Sequence, residues 1–391
     1  MAPHDGNTSA DEPLREASTI RSLKIVAAIT HNDQGGAQEA LTRLCHALVD
    51  RGHRVSLWYL YKEGSVVDPD LPYRFVLEKE APTALDYGLI AAKLGMMLLR
   101  ERPTALISFL PLANVMTQTL GWALQIPVRI ASQRNPVQTY SRAMQLFDWY
   151  FGTCGSYTGI VVNSKDVQSS VARYPWPYRC RTQIIHNGVD PTKWDGGNRL
   201  EARSHFRMKG GEVALVSIGR LAKQKNQVLL IQILAALKNF RLFLAGSGPE
   251  LPMLRTEAER MGVSERVAFL GTLDHSETRL LLDAADIFAL PSLFEGQSNA
   301  LLEAMSAGRP IVTSDIPSHR ETLSSRDGDA GFLVPITDPD QWIETLRELG
   351  SSAARRTELG QRAKKRARDF SLSHMCTAFE TAITTSLPLK R

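Results

Sequence analysis

The sequence predicts an α/β protein made of two similar halves, each a parallel sheet flanked by helices, with a cleft between them. Three observations carry this. The chain opens as strand, glycine loop, helix and strand; the same alternation restarts after a polar, glycine-bearing stretch; and 391 residues leave room for two to three domains at ~150 residues each.

The first strand is the apolar run LKIVAAI, followed by the turn-rich THNDQGGAQ. In the next segment, EALTRLCHALVDRG, Leu41, Leu44, Leu48 and Val49 recur at helical spacing. HRVSLWYL is the second strand and completes a βαβ unit, which builds parallel sheets with helices on both faces. FVLE, the helix GLIAAKLGMMLLRERP, ALISF, a helix from Ala113, VRIASQ, a helix near Ser141 to Phe151, GIVVNS and QIIHNGVD complete the first half. The polar stretch PTKWDGGNRLEARSHFRMKGG reads as a linker with a short helix. The second half alternates VALVSIG, QVLLIQILAAL, FRLFLAG, ELPMLRTEAERMG, VAFLG, SETRLLLDAA, DIFALPS, NALLEAMSAG, PIVTSD and GFLVP. After the basic stretch RAKKRARDF comes a last helix, LSHMCTAFETAI.

Composition excludes some classes. Lys+Arg 46 against Asp+Glu 41 gives +5, too small and scattered for a nucleic-acid reader, although it suits anionic ligands and acidic lipid surfaces. Cys45, Cys154, Cys180 and Cys376 lie far apart with no Cys-x-x-Cys pair, which points to a reducing, cytosolic setting without structural zinc. The first twenty residues lack the apolar core of a signal peptide and read as a loose, solvated tail. The uncharged run Thr104 to Val128 has the length of a membrane span. Pro111, Asn114, Thr117, Gln118, Thr119, Gln125 and Pro127 break it instead into strand, helix and strand entry.

Chemistry concentrates in four loops at strand ends. In LFEGQSNALLEAMSAGRPIVTSD, seven residues separate Glu295 from Glu303, and Gly296, Gln297, Ser298 and Asn299 lead into a helix whose first free N–H groups can bind oxyanions. A wholly helical interval would put the two glutamates about 12 Å apart, so they suit two parts of one extended ligand rather than a single bond. Each could equally be a plain helix-terminus or surface residue. In SIGRLAKQKNQ, Arg220 and Lys225 follow Gly219 within one loop and offer a fork and a point charge for a diphosphate, or simply an exposed basic loop. Gly35 and Gly36 in HNDQGGAQE permit close backbone approach to a phosphate or sugar, or merely a tight turn. LAGSGPE has Gly246 and Gly248 but no later glycine, so no nicotinamide cofactor is implied.

Zinc-protease, paired-cysteine, Walker and Gly-x-Ser-x-Gly motifs are absent, so no metal is expected. The Asp-x-Asp pairs Asp68/Asp70, Asp327/Asp329 and Asp338/Asp340 sit in Pro/Gly turns, where aspartate is common.

In series, these segments resemble the GT-B glycosyltransferases of glycosyltransferase family four from about Leu23 onward. The family's Gly-Gly-Ala loop stands here as Gly35-Gly36-Ala37, its Gly-Arg…Lys-Asn loop as Gly219-Arg220…Lys225-Asn226, and its Glu-x7-Glu motif as Glu295 to Glu303; the Asn-Ser of VVNS and the Asn-Gly of IHNGVD also match. The resemblance implies two Rossmann-like domains facing a central cleft. It implies a tail at 1–20, an acceptor-side domain at 21–192, a linker at 193–211, a donor-binding domain at 212–370 and, at 371–391, a helix returning to the first domain.

It also implies sugar transfer from a nucleotide diphosphate sugar, UDP-sugars favoured, with retention of configuration and without a metal or other cofactor. Arg220 and Lys225 would hold the diphosphate, Glu303 the ribose, and Glu295 with the Gly296 to Ser298 backbone the sugar, while Gly36 approaches from the other domain. Many members carry a histidine after the strand that reads VRIASQRNP here. Gln133, Arg134 and Asn135 replace it, a form that resembles enzymes of bacterial polysaccharides and lipid-linked oligosaccharides. Arg134 and Asn135, with His31, are candidates for sugar or acceptor contact, Arg134 alternatively for a salt bridge across the cleft.

The expected partners are the donor, a glycan or polyprenyl-linked acceptor and an anionic membrane surface, with no nucleic acid. GLIAAKLGMMLLRERP, with Lys93, Arg100 and Arg102, could rest on that surface or simply pack against the core. The expected location is the cytoplasm, at the inner face of the membrane. A nucleotide-sugar 2-epimerase and a non-catalytic sugar-nucleotide binder are the alternatives.

Overall fold

The computed structural model describes residues 22–387 apart from 34, 65, 66, 81, 195 and 327; the N-terminal tail and Asp327 lie outside the described residues. Seven strands, β1 (Lys24–His31), β2 (Arg54–Tyr61), β3 (Tyr73–Leu77), β4 (Ala105–Phe109), β5 (Val128–Gln133), β6 (Gly159–Val162) and β7 (Thr182–Ile184), form a parallel sheet in the order β3-β2-β1-β4-β5-β6-β7. Six more, β8 (Val213–Ile218), β9 (Phe240–Ala245), β10 (Val267–Gly271), β11 (Ile287–Leu290), β12 (Ile311–Ser314) and β13 (Phe332–Val334), form a second in the order β10-β9-β8-β11-β12-β13, again parallel.

The chain reverses its direction of travel across the first sheet between β1 and β4, which pair from Ile25↔Ala105 to Ile29↔Phe109, and across the second between β8 and β11. Loops leaving strands at such a reversal splay apart and open a crevice at the carboxyl ends. His31 ends β1, and Arg220 and Glu295 follow β8 and β11, so topology alone brings them to the same place.

Alternation sorts each strand's side chains between two cores. Ile25, Ala27 and Ile29 face helix α1 (Gly36–Asp50) and the last helix, Leu372–Ser386; Val26, Trp58 and Leu60 face α2 (Ala84–Glu101). Beside α2 on that second face lie α3 (Pro111–Ala123) and α4 (Arg142–Thr153). The last helix buries Met375, Cys376, Phe379 and Ile383 in the first sheet's core although it follows the whole second half. The chain passes between the halves at Val189 and again at Ser371, where the two passages pair: Val189 N donates to Phe370 O at 2.9 Å and Leu372 N to Val189 O at 3.0 Å. Helix Arg199–His205, in the stretch read as a linker, packs on helix His275–Ala284.

Several boundaries differ from expectation for local reasons. The uncharged run resolves into β4, α3 and the entry to β5, and among the described residues no helix is long and apolar enough to cross a membrane. α3 starts at Pro111, not Ala113, because proline suits the first helical position, where its missing N–H costs nothing. Asp338-Pro339-Asp340 is not a turn. The Asp338 carboxylate accepts from Gln341 N at 3.0 Å and caps helix Pro339–Ser351. Cys45 and Cys376 are buried, Cys154 and Cys180 exposed, and all four are free thiols.

Candidate active site

At the end of β8, Gly219 takes φ +148, which only glycine adopts without strain, and a Cβ there would stand 3.3 Å from Lys225 Cε. The turn sends Lys225 back under the strand end, where Nζ lies 2.5 Å from Glu295 Oε1. Ser292 Oγ donates to the same oxygen at 2.8 Å, and Gln224 Nε2 to Oε2 at 3.3 Å. Glu295 is therefore a fixed, buried carboxylate in a loop, and the cap of helix Asn299–Ser306 is Ser298, whose hydroxyl accepts from Leu301 N. Because the helix begins only at Asn299, Glu295 lies outside it while Glu303 projects from its second turn. Arg220 is exposed at the strand end.

Across the cleft, Gly35 is the N-cap of α1 with extended backbone and Gly36 its first residue. A Cβ on Gly36 would make only an ordinary contact, 3.7 Å from Asn299 Nδ2. Its role lies in its carbonyl, which accepts from Asn299 Nδ2 at 2.8 Å, so the N-termini of α1 and of helix Asn299–Ser306 face one another. His31 resists protonation, chiefly through burial and further through the charge of Arg220, with Glu63 and Asp33 opposing.

Asn187, of the Asn-Gly pair noted in the sequence, joins the halves. Its N–H donates to Gln297 Oε1 at 2.6 Å, and its Nδ2 donates to Gln297 O at 3.0 Å and Asn299 Oδ1 at 2.8 Å. Asn187 Oδ1 accepts from Arg134. The Arg134 guanidinium is buried, also donates to Ser132 Oγ at 3.2 Å and stacks 4.3 Å from the Phe109 ring centre. Among the described residues it makes no salt bridge across the cleft. Burial without a paired carboxylate pulls it down to about 9, so an anion brought beside it would be bound strongly. Gln133 is turned away into a buried network with Asp148 and Tyr178, and Asn135 takes part through its carbonyl, which accepts from Tyr140 at 3.0 Å. The loop of Gly296 presses on Arg134: a Cβ on Gly296 would fall 1.9 Å from the Arg134 carbonyl oxygen.

Two site residues have no counterpart in the motifs. Arg43, on α1, bonds both Glu39 and, from the opposite half, Glu303. Glu303 is buried, and burial and the Glu39 charge favour its protonation while Arg43 opposes them. Glu39 also lies 3.4 Å from His275 Nδ1. His319 is buried beside Ser314, its Nδ1 3.0 Å from that carbonyl; Nδ1 must then carry the proton, and Nε2 is a lone pair with no hydrogen-bond partner among the described residues. Burial pushes it down to about 4, so it is neutral near pH 7. Among the described residues, no three His, Cys, Asp or Glu side chains are grouped to hold a metal.

Both halves of the chain match known proteins. Residues 34–193 fit the model described as Glycosyltransferase Family 4, and residues 198–366 the model Glycosyl transferases group 1. The chain belongs to this family of glycosyltransferases. The lipopolysaccharide core biosynthesis glycosyltransferase LpsE of Rhizobium meliloti is 26% identical over 353 residues, 85% of this chain and 92% of LpsE. The D-inositol 3-phosphate glycosyltransferase of Mycobacterium marinum is 28% identical over 200 residues, 50% of this chain but only 42% of that enzyme. In fold, the crystal structure of HepE from Anabaena in complex with UDP-glucose superimposes with a TM-score of 0.81 at 17% identity, over 93% of this chain and 100% of HepE. The architecture of this glycosyltransferase is GT-B.

Proposed function

We propose that this glycosyltransferase moves a hexose or N-acetylhexosamine from a nucleotide diphosphate sugar, UDP-sugars first, to a growing glycan or lipid-linked saccharide, with retention and without a metal. The observation that carries the reading is the convergence of two helix N-termini from opposite halves, bounded by Arg220, Lys225 and the buried Arg134. Such a place favours an anion. Residues 21–192 form the acceptor side, 212–370 bind the donor, 193–211 link them, and 371–391 tie the end back.

In this reading Arg220 and Lys225 neutralise the departing diphosphate, where charge grows most in the transition state. Glu303 accepts from the ribose hydroxyls. Glu295, held by Lys225 and Ser292, takes the sugar hydroxyls together with the Gly296, Gln297 and Ser298 backbone, and Asn299 holds the first turn against Gly36. Gly35 and Gly36 bring α1 to the phosphates. His31, Arg134 and Asn135 border the space left for the sugar and acceptor. Closure of the halves through Asn187 excludes water that would hydrolyse the donor. LpsE, with its role in lipopolysaccharide core synthesis, and HepE, solved with UDP-glucose, support this choice of acceptor and donor.

The test is release of nucleoside diphosphate from UDP-, GDP- and ADP-sugars with glycan and lipid-linked acceptors, with product configuration read by NMR. One donor should turn over with retention, undiminished by EDTA, and Glu303→Ala should lower kcat/KM at least about thirtyfold. Turnover of no sugar nucleotide, or full turnover by Glu303→Ala, overturns the reading.

A further inference from the structure

Helix α4 is built inside out. Its carboxylate, Asp148, is buried and accepts hydrogen bonds from Gln133 Nε2 at 2.7 Å, the Tyr178 hydroxyl at 2.8 Å and the Tyr157 hydroxyl at 3.2 Å, while its large apolar side chains point to solvent. Leu146 is 58% exposed, Phe147 44%, Trp149 38% and Tyr150 53%. The one-turn helix Trp176–Arg179 packs beside it and adds Trp176, 70% exposed. A helix that hides its acid and shows its aromatics does not do so for its own stability, since each exposed ring forgoes the gain that burial would bring.

The surroundings of the patch select its partner. Arg142, Arg173 and Arg179 are exposed around it. Between residues 135 and 185 the only acids are Asp148, buried, and Asp166, which is turned toward Glu321 of the other half. A second copy meeting this face about a two-fold axis would set arginine against arginine with no carboxylate between them. An anionic bilayer satisfies both parts of the surface: aromatic rings with polar edges settle at headgroup depth, and arginines pair with lipid phosphates. Helix α4 leaves the loop that carries Arg134 and Asn135 at the end of β5.

We infer that the face formed by α4 and helix Trp176–Arg179 seats this protein on an anionic membrane, the surface in which a lipid-linked acceptor resides. It is a different surface from α2, the helix marked in the sequence, which keeps Ile90, Leu94 and Leu98 in the core and exposes Leu85, Leu89, Met96 and Leu99. The inference rests on the reading of the acceptor as lipid-linked, and its test is separable from that reading.

The full chain is sedimented with vesicles of phosphatidylcholine alone, or of phosphatidylcholine and phosphatidylglycerol in equal parts, while donor turnover is measured with a water-soluble acceptor. The protein should pellet with the anionic vesicles only and be released by salt. Phe147→Ser/Tyr150→Ser and Arg142→Glu/Arg179→Glu should each weaken vesicle binding about tenfold or more and leave soluble turnover unchanged. Equal binding to both vesicle types, binding unaffected by either double variant, or a dimer in solution that Phe147→Ser/Tyr150→Ser dissociates would each overturn the inference. Absence of turnover with intact vesicle binding would instead count against the glycosyltransfer reading alone.

Discussion

Arg43 sits at the one point where a single side chain decides the state of a binding carboxylate. Glu303 is buried, and burial and the Glu39 charge raise its proton affinity above the usual carboxylate range; the guanidinium of Arg43 is the cation that opposes them. A neutral acid accepts hydrogen bonds from hydroxyls less strongly than a carboxylate. Arg43→Gln leaves Glu39 and Glu303 facing each other without a cation, so the proton affinity of Glu303 rises further. Donor KM should then rise at least about tenfold, kcat at saturating donor should fall less, and the affinity should begin to fail at a higher pH on acidification than in the parent. Arg43→Lys keeps the charge and should recover part of the loss. Steady-state kinetics across pH check this; unchanged KM in Arg43→Gln, or no rescue by lysine, would leave Arg43 with a purely structural task.

At the level of elements, the loop before helix Asn299–Ser306 is the most constrained contact between the halves, because Gly296 lies against the Arg134 carbonyl with no room for a methyl group. Gly296→Ala should therefore fold normally, with far-UV dichroism and thermal midpoint close to the parent, yet fail to bring the loop onto Arg134 and lose most donor binding by calorimetry. Normal affinity in a folded Gly296→Ala would show that the contact is dispensable. The strand–loop–helix order, the two sheets, the loops of Gly219 and Glu295 and the helix of Glu303 were legible in the sequence, since apolar period and glycine punctuation report strictly local geometry. Arg43 was not, because on an amphipathic helix it looks like any surface charge and its partner Glu303 stands 260 positions away. His319 was hidden for the same reason, and α4 because a helical period cannot say which face turns inward.

The molecule as a whole is closed by helix Leu372–Ser386, which returns to the sheet that β1 opens. Phe379 is fully buried and stacks on Phe109 at 6.2 Å between ring centres, and Phe109 in turn carries the guanidinium of Arg134 on its other contacts. The end of the chain thus supports both the first sheet and a cation at the cleft, while the second sheet's cores contain no residue of this helix. Phe379→Ala removes a ring from a packed core and should cost about 3–5 kcal/mol, borne by the first half alone. Hydrogen exchange read by mass spectrometry should show β1, β4, α1 and helix Leu372–Ser386 losing protection together, with β8 to β13 keeping theirs. Donor-bound protein should recover part of that protection, because a ligand that grips both halves favours the folded state of each. Uniform loss over both sheets would mean that the halves unfold as one unit, and no loss would mean that the returning helix is not what holds the first sheet to the site.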